Sequence, residues 1–283
     1  MTTLYYCMGG GLGHITRFAA FCRYFAIKPA LMTNCELVRS GRIIPEAGPV
    51  LIPDEADNAD IESFRIWISK MLNDYRPQTL IIDAFPGGIL GELCDLPPLE
   101  NTEYVYLARI LDLPAYHSRL NGPLPQFAKI YRLEKLGEKQ QKWLHTLHAP
   151  VENLVLPYPA ADTADESEST RLPHNCWLII HSGGNEELEQ LWQFACQTAE
   201  IEGQKPEFAM ASPGIRPEFL PTTVSHYDVY PADSLITQAT RVFSAAGFNI
   251  MQQMQNYQKK HHVLPMPRAL DDQFLRYRLT NHR

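Results

Sequence analysis

Length, composition and charge narrow the classes to which this chain can belong. With 283 residues, 45% of them hydrophobic and 20% charged, it has the composition of a globular protein and the length for two ordinary domains. Its formal net charge of −7 argues against nucleic acid as a partner, and its six cysteines form no C-x-x-C pair, so neither a zinc site nor a disulfide framework is expected.

Short β-type segments alternate with helical patterns in the first half of the chain, which predicts βαβ units and a mainly parallel sheet. Apolar residues at helical spacing follow the first strand over residues 15–26 and recur over residues 61–72. The predicted strands of this half are 4–8, 30–33, 50–52, 79–83 and 104–107.

The stretch 157–173 is rich in Pro, Ala, Ser and acidic residues and lacks an apolar period, so we predict a linker there. After it the α/β pattern restarts, with predicted helices over residues 188–199 and from Asn249. The predicted strands of this half are 177–180, 208–211, 224–229, 241–244 and 263–264. The sequence therefore predicts an α/β protein of two Rossmann-like domains, residues 1–160 and 174–283, which face each other across a cleft.

Four glycines, Gly9, Gly10, Gly11 and Gly13, separate the first strand from its helix. In a parallel sheet this turn lies at the edge where ligands bind, and the absence of Cβ atoms lets a ligand approach the backbone. The dinucleotide fingerprint G-x-G-x-x-G is only half met, because His14 stands where the third glycine is expected.

The start of this helix carries candidate catalytic residues. A helix N-terminus disfavours the imidazolium, so His14 is expected to be neutral and suited to act as a general base, although position alone equally allows a helix cap. Arg17, one turn later, reaches an anion or is an exposed helix arginine. Asp83 ends the strand "LIID" and has three open roles: to orient His14, to act as the base itself, or to cap the following turn.

A second turn of the same kind occurs where residues 245–247, Ala-Ala-Gly, end a predicted strand and Phe248-Asn249 open a helix. This turn, the proline-containing strand after it and the Asp-Gln pair beyond are similar to the donor-binding signature of GT-B glycosyltransferases. The stretch GGGLGHITR resembles the Gly-x-Gly-His-x-x-Arg start of glycosyltransferase family 28, the group related to the peptidoglycan N-acetylglucosaminyltransferase. The segment LIIDAFPGGILGEL also resembles uncharacterised members.

The resemblance implies a GT-B fold whose second domain holds a nucleotide sugar. It assigns Gly247, Phe248 and Asn249 to the donor diphosphate, and Asp272 and Gln273 to the sugar hydroxyls. Gln253 takes the place of a glutamate that binds the ribose, a change expected either to weaken binding by roughly tenfold or to alter the ligand.

Further positions follow from the same resemblance. Residues 230–233 fall where the family holds the nucleotide base, and Ser182 and Gly183 lie in what is either a phosphate-side loop or a plain turn. His14 is expected to face the acceptor and the reacting centre. The loop around it, on the acceptor and phosphate side, comprises Gly10, Gly11, Gly13 and Arg17.

The activity implied is transfer of a hexose, expected to be N-acetylglucosamine, from a UDP-sugar to an acceptor hydroxyl with inversion. The UDP-sugar is a co-substrate and no other cofactor is expected; the sequence has no Asp-x-Asp, so no metal is required. Gln253 and the short stretch after Gln273 also leave open a non-catalytic nucleotide-sugar-binding protein, and the scaffold leaves open a UDP-sugar 2-epimerase.

Location and acceptor are less closely specified. No apolar run reaches the roughly 18 residues of a membrane span, so we expect a cytoplasmic protein without a transmembrane segment. The basic last stretch is either a solvated surface or a means of peripheral attachment at the inner face of the membrane. The acceptor is unknown, and a lipid-linked or cell-envelope glycan is among the candidates.

Overall fold

The structure is a computed structural model that describes residues 2–9, 11–57, 60–97, 99–158 and 171–281. It divides into two compact units, Met1–Pro157 with Arg268–Leu275, and Tyr158–Pro267 with Arg276–Arg283. Gly10 and most of the predicted linker 157–173 lie outside the described residues. Each unit is built on its own parallel sheet.

The first unit contains a seven-stranded sheet whose paired strands are all parallel. Its strands are β1 Thr3–Cys7, β2 Ala30–Thr33, β3 Val50–Leu51, β4 Thr79–Asp83, β5 Glu103–Ala108, β6 Phe127–Arg132 and β7 Val151–Asn153. The order β3-β2-β1-β4-β5-β6-β7 reverses direction between β1 and β4. Residues that follow these two strands therefore meet at the crevice where open α/β sheets bind ligands.

Helices cover the faces of this sheet. They are α1 Leu12–Phe25, α2 Glu36–Arg39, α3 Ile61–Tyr75, α4 Leu113–His117 and α5 Glu138–His145. Helix α1 begins after Gly11 and ends at Ala26, whose backbone is left-handed. Its buried face includes Phe18 and Phe21, which pack edge-on against Tyr5 of β1 with ring centroids 5.0 and 5.5 Å away. The apolar spacing predicted this helix.

The second unit contains a five-stranded parallel sheet in the order β10-β9-β8-β11-β12. Its strands are β8 Cys176–Ile180, β9 Glu207–Ala211, β10 Ser225–Tyr227, β11 Arg241–Ser244 and β12 His261–Val263. Its helices are α6 Asn185–Ile201, α7 Asp233–Gln238 and α8 Phe248–Gln253, followed by a 3-10 helix Met254–Lys260. The order reverses between β8 and β11, so the turns after these two strands are neighbours.

The last helix, α9 Gln273–Asn281, is preceded by a segment that clusters with the first unit, although the sequence assigned it to the second domain. Leu270 packs with a group of buried side chains, and its carbonyl accepts a 3.1 Å hydrogen bond from the Asp112 N–H. Those side chains are Ala84, Phe85, Leu111 and Tyr116. Among the described residues, no helix has the length and apolar character needed to span a bilayer.

Candidate active site

A buried histidine and aspartate meet at the reversal point of the first sheet. His14 lies in the first turn of α1, and Asp83 is the last residue of β4. The His14 Nδ1 is 2.6 Å from the Asp83 Oδ2, although 69 positions separate the two residues. The Asp83 side chain is fully buried, and His14 is 9% exposed. Of the three roles left open for Asp83, this contact favours orientation of His14.

Arg17 completes the cluster from the next turn of α1. Its Nε lies 2.5 Å from the Asp83 Oδ1 and its Nη2 lies 2.7 Å from Oδ2, which is a bidentate arrangement. The exposed-surface interpretation of Arg17 is wrong, because the residue is 2% exposed. Its buried charge is balanced by the Asp83 carboxylate.

The electrostatics of the cluster determine where its protons lie. Burial alone would raise the pKa of Asp83, but the Arg17 charge and the hydrogen bonds from His14 and Arg17 together hold that pKa well below its usual range. Burial lowers the pKa of His14, and this outweighs the raising effect of Asp83. His14 is therefore neutral at pH 7, with Nδ1–H donating to Asp83 and Nε2 unprotonated.

Gly9 leaves the space beside this nitrogen open. A Cβ at position 9 would lie 2.6 Å from the His14 Nε2, and the φ of +140° is a conformation that L side chains rarely adopt. The Gly9 N–H donates to the Asn34 side chain at 2.8 Å, which fixes the turn. Gly11 caps α1 with extended backbone, and nothing lies within 4 Å of the position of its Cβ. Gly13 lies in the first turn of α1.

The two glycines on either side of Gly10 make a matched test of this arrangement. We expect Gly9→Ser to lower the free energy of unfolding by ~1–3 kcal/mol, because it strains the backbone and crowds His14. Gly11→Ser should have little effect, because serine is favoured at a helix N-cap and has room there. Urea unfolding of both variants measures the difference, and equal losses would show that Gly9 has no special role.

The described residues contain one group whose donor atoms suit a metal geometrically. Cys7, His14 and Asp83 each offer one ligand atom, and these atoms lie within 4.8 Å of one another. Both Asp83 oxygens are already bound by Arg17 or His14, and the guanidinium places a positive charge beside them. Burial raises the pKa of the Cys7 thiol well above its usual range, so the thiol is protonated. The donor set does not fit a cation.

A second charged pair lies near His14 and was missed by the sequence-based prediction. Arg109 directly follows β5, and its Nη1 lies 2.5 Å from the Asp271 Oδ1. The guanidinium lies over the Phe85 ring, 5.3 Å from its centroid, and that ring is 5.9 Å from the imidazole of His14. The carboxyl end of a central parallel strand was the signal that could have identified Arg109.

In the second unit, the predicted diphosphate turn is ordered by its own contacts. Gly247 caps α8 with extended backbone, and the Asn249 Oδ1 accepts a 2.7 Å hydrogen bond from the Tyr158 hydroxyl. Phe248 is buried. Arg276, 2% exposed, donates from Nη1 to the Ala246 carbonyl at 2.9 Å.

The other predicted donor residues have different surroundings. The Gln253 Nε2 donates to the Asp233 Oδ1 at 3.1 Å, so a carboxylate lies beside the residue that the resemblance assigns to the ribose. Gly183 follows the exposed Ser182, and a Cβ at Gly183 would collide with His181 and Glu187, whose side chains are 2.6 Å apart.

Asp272 and Gln273 belong to the segment that clusters with the first unit. The Asp272 Oδ1 accepts from the Leu275 N–H at 2.8 Å and so caps α9, while Gln273 is 3% exposed. The structure therefore groups His14, Arg17 and Asp83 in one cluster. It places the remaining predicted donor residues in the second unit: Ser182, Gly183, Gly247, Phe248, Asn249 and Gln253.

No family model matches this chain, and no curated protein matches it. Solved structures do. A glycotransferase of kitacinnamycin matches with a TM-score of 0.58 and 10% identity over 97% of this chain and 82% of its own. The spinosyn rhamnosyltransferase SpnG with thymidine diphosphate matches with a TM-score of 0.56 and 15% identity, over 94% of this chain and 81% of its own. The UDP-N-acetylglucosamine 2-epimerase of Rickettsia bellii matches with a TM-score of 0.56 and 12% identity, over 96% of this chain and 80% of its own.

Identities this low define the fold alone. Two parallel α/β sheets and these neighbours give the chain the GT-B glycosyltransferase fold, which confirms the predicted fold class.

Proposed function

We propose that the protein is a glycosyltransferase that moves a hexose from a nucleotide sugar to an acceptor hydroxyl with inversion. The observation that carries the proposal is the buried His14, whose Nδ1 is held 2.6 Å from Asp83 and whose Nε2 adjoins the side-chain-free Gly9. A base held in one tautomer is what deprotonation of an attacking hydroxyl requires.

The proposed reaction is a single displacement. The acceptor hydroxyl transfers its proton to the His14 Nε2 as its oxygen bonds to the anomeric carbon. The bond from that carbon to the diphosphate oxygen breaks, and the leaving nucleotide diphosphate takes the electron pair. Asp83, which Arg17 keeps ionised, stabilises the imidazolium that forms, as a buried carboxylate does in other base dyads.

The donor site is proposed from the residues of the family signature. Backbone N–H groups at Gly247 and the start of α8 face the diphosphate, and Asp272 and Gln273 contact the sugar. The choice of UDP and N-acetylglucosamine rests on the family 28 resemblance; SpnG, by contrast, is described with thymidine diphosphate. A lipid-linked or cell-envelope acceptor and a cytoplasmic location stay predictions.

A panel of nucleotide sugars tests the proposal. UDP-N-acetylglucosamine, UDP-glucose, a dTDP-hexose and the free diphosphates are assayed by thermal shift, and the products of each binder are identified by mass spectrometry and NMR. Transfer, or slow release of free sugar to water, supports the proposal. Absence of any binding would overturn it.

The 2-epimerase neighbour makes epimerisation the second candidate. It predicts a C2 epimer of the donor sugar that forms without any acceptor, which the same NMR spectra reveal. Binding with neither transfer, hydrolysis nor epimerisation would instead indicate a non-catalytic nucleotide-sugar-binding protein.

The contact between Gln253 and Asp233 leads to a prediction about ribose. If Asp233 supplies the carboxylate that position 253 lacks, Asp233→Asn replaces a charged acceptor by a neutral one and should weaken UDP binding by about tenfold. Binding of 2′-deoxy-UDP should change much less. Isothermal titration calorimetry measures both affinities, and an equal loss for the two ligands would show that the ribose lies elsewhere.

Gln253→Glu is the informative companion variant. On its own, Gln253→Glu places a second carboxylate beside that of Asp233, and the two repel, so this variant should not improve UDP binding. Combined with Asp233→Asn it restores one acid and one amide, and UDP affinity should recover.

A further inference from the structure

The segment 268–275 is attached to the first unit at two adjacent residues. Leu270 is 9% exposed and packs with the cluster that includes Phe85, and its carbonyl accepts from the Asp112 N–H at 3.1 Å. The next residue, Asp271, pairs with Arg109 at 2.5 Å. The side chains of this pair are 9% and 15% exposed, so the ion pair is largely removed from water.

Arg109 is also connected to the neighbourhood of His14. It is buried, its Nη1 donates to the Ile110 carbonyl at 3.3 Å, and its guanidinium covers the Phe85 ring that lies beside the imidazole. A series of direct contacts thus runs from Asp271 through Arg109 and Phe85 to His14. All four residues belong to the first unit.

We infer that Arg109 and Asp271 are a positioning pair, which holds the Asp272–Gln273 segment at a defined place relative to His14. This inference rests on the proposed function, because it gives the donor-sugar contacts and the base a common support. A buried ion pair contributes little net stability to the fold, although the loss of one partner leaves an uncompensated buried charge. The presence of the Arg109–Asp271 pair is therefore better explained by a role in fixing local geometry than by a gain in stability. Asp272 continues the ordering, since its carboxylate caps α9.

The charge of Arg109 also reaches His14. The groups that face the imidazole are Asp83 from β4, Arg17 from α1, Cys7 from β1 and Arg109 after β5. Asp83 raises the pKa of His14, whereas burial and the two arginines lower it. Removal of the Arg109 charge should therefore raise the pKa of His14.

The test uses Arg109→Met, Arg109→Lys, Asp271→Asn and the double variant Arg109→Met with Asp271→Asn. NMR titration of the His14 imidazole requires no substrate. Arg109→Met should raise the pKa of His14, and Arg109→Lys, which keeps the charge, should not.

Amide exchange at Asp112 and Leu275 reports on the order of the segment 268–275. Arg109→Met and Asp271→Asn should each accelerate exchange at these two amides about tenfold or more, whereas exchange of the Leu133 amide, bonded to the Ala108 carbonyl, should be unaffected.

Donor kinetics complete the test. Arg109→Met and Asp271→Asn should each raise the KM for the donor sugar more than they lower kcat, and the double variant should cost no more than the worse of these two, because one interaction is lost. Additive losses, or unchanged exchange at Asp112 and Leu275 in folded Asp271→Asn, would overturn the inference. If the protein has no turnover, the proposed function fails, while amide exchange still decides whether the pair positions the segment.

Discussion

Replacement of His14 by alanine is expected to lower the rate of sugar transfer by about 10²- to 10⁴-fold, the range that a general base contributes. Nucleotide affinity should stay nearly unchanged, because the proposed diphosphate contacts lie at Gly247 and α8 in the second unit. The rate is measured as transfer to an acceptor, or as donor hydrolysis with water as the acceptor. Calorimetry with UDP gives the affinity of the same preparation.

His145→Ala is the matched control. His145 belongs to the same unit, lies at the end of α5 and is exposed, so its loss should leave both rate and affinity intact. If His14→Ala lowered UDP affinity as much as turnover, or unfolded the protein, His14 would be a structural residue and the proposed base would have to lie elsewhere.

The second large effect is expected on stability. Asp83→Asn should lower the free energy of unfolding by ~3–5 kcal/mol, because it leaves the buried Arg17 guanidinium without a balancing charge. Combined with Arg17→Met, which removes that charge as well, much of the loss should be recovered. Urea unfolding of the two single variants and the double variant gives the coupling between the residues.

Glu152→Gln is the control for this prediction. It removes one partner of the Lys129–Glu152 pair, whose side chains are 35% and 54% exposed, and it should leave the unfolding midpoint nearly unchanged. If Asp83→Asn were equally mild, the carboxylate would not be compensating a buried charge.

Acid should destabilise the protein through the same cluster. His14 has a lowered pKa in the folded state, so unfolding becomes more favourable as pH falls below its ordinary value of about 6.5. The lowered pKa of Asp83 adds stability that is present above its unfolded value of about 3.9 and is lost as pH falls below it. Asp83→Asn should abolish the second loss in a series of urea titrations from pH 7 to 3.

The local order of elements could be read from residue patterns. The apolar spacing after β1 predicted α1, and the alternation of strands and helices predicted parallel sheets in both units. Strand β6 was missed because Phe127 and Ile130 are buried while Ala128, Lys129 and the last two residues are not, so the segment lacks a strand-like apolar pattern. Strand β7 has three residues, too few for a recognisable period.

The sequence by itself determined where the glycine-containing turns fall and that His14 stands at the start of a helix. Both depend on neighbouring residues. Only the tertiary structure decided that β1 lies beside β4, which brings Asp83 to His14 and buries Arg17. It also decided that Asp271 meets Arg109, 162 positions away. Such contacts depend on the order in which strands pair, and local spacing along the chain does not specify that order.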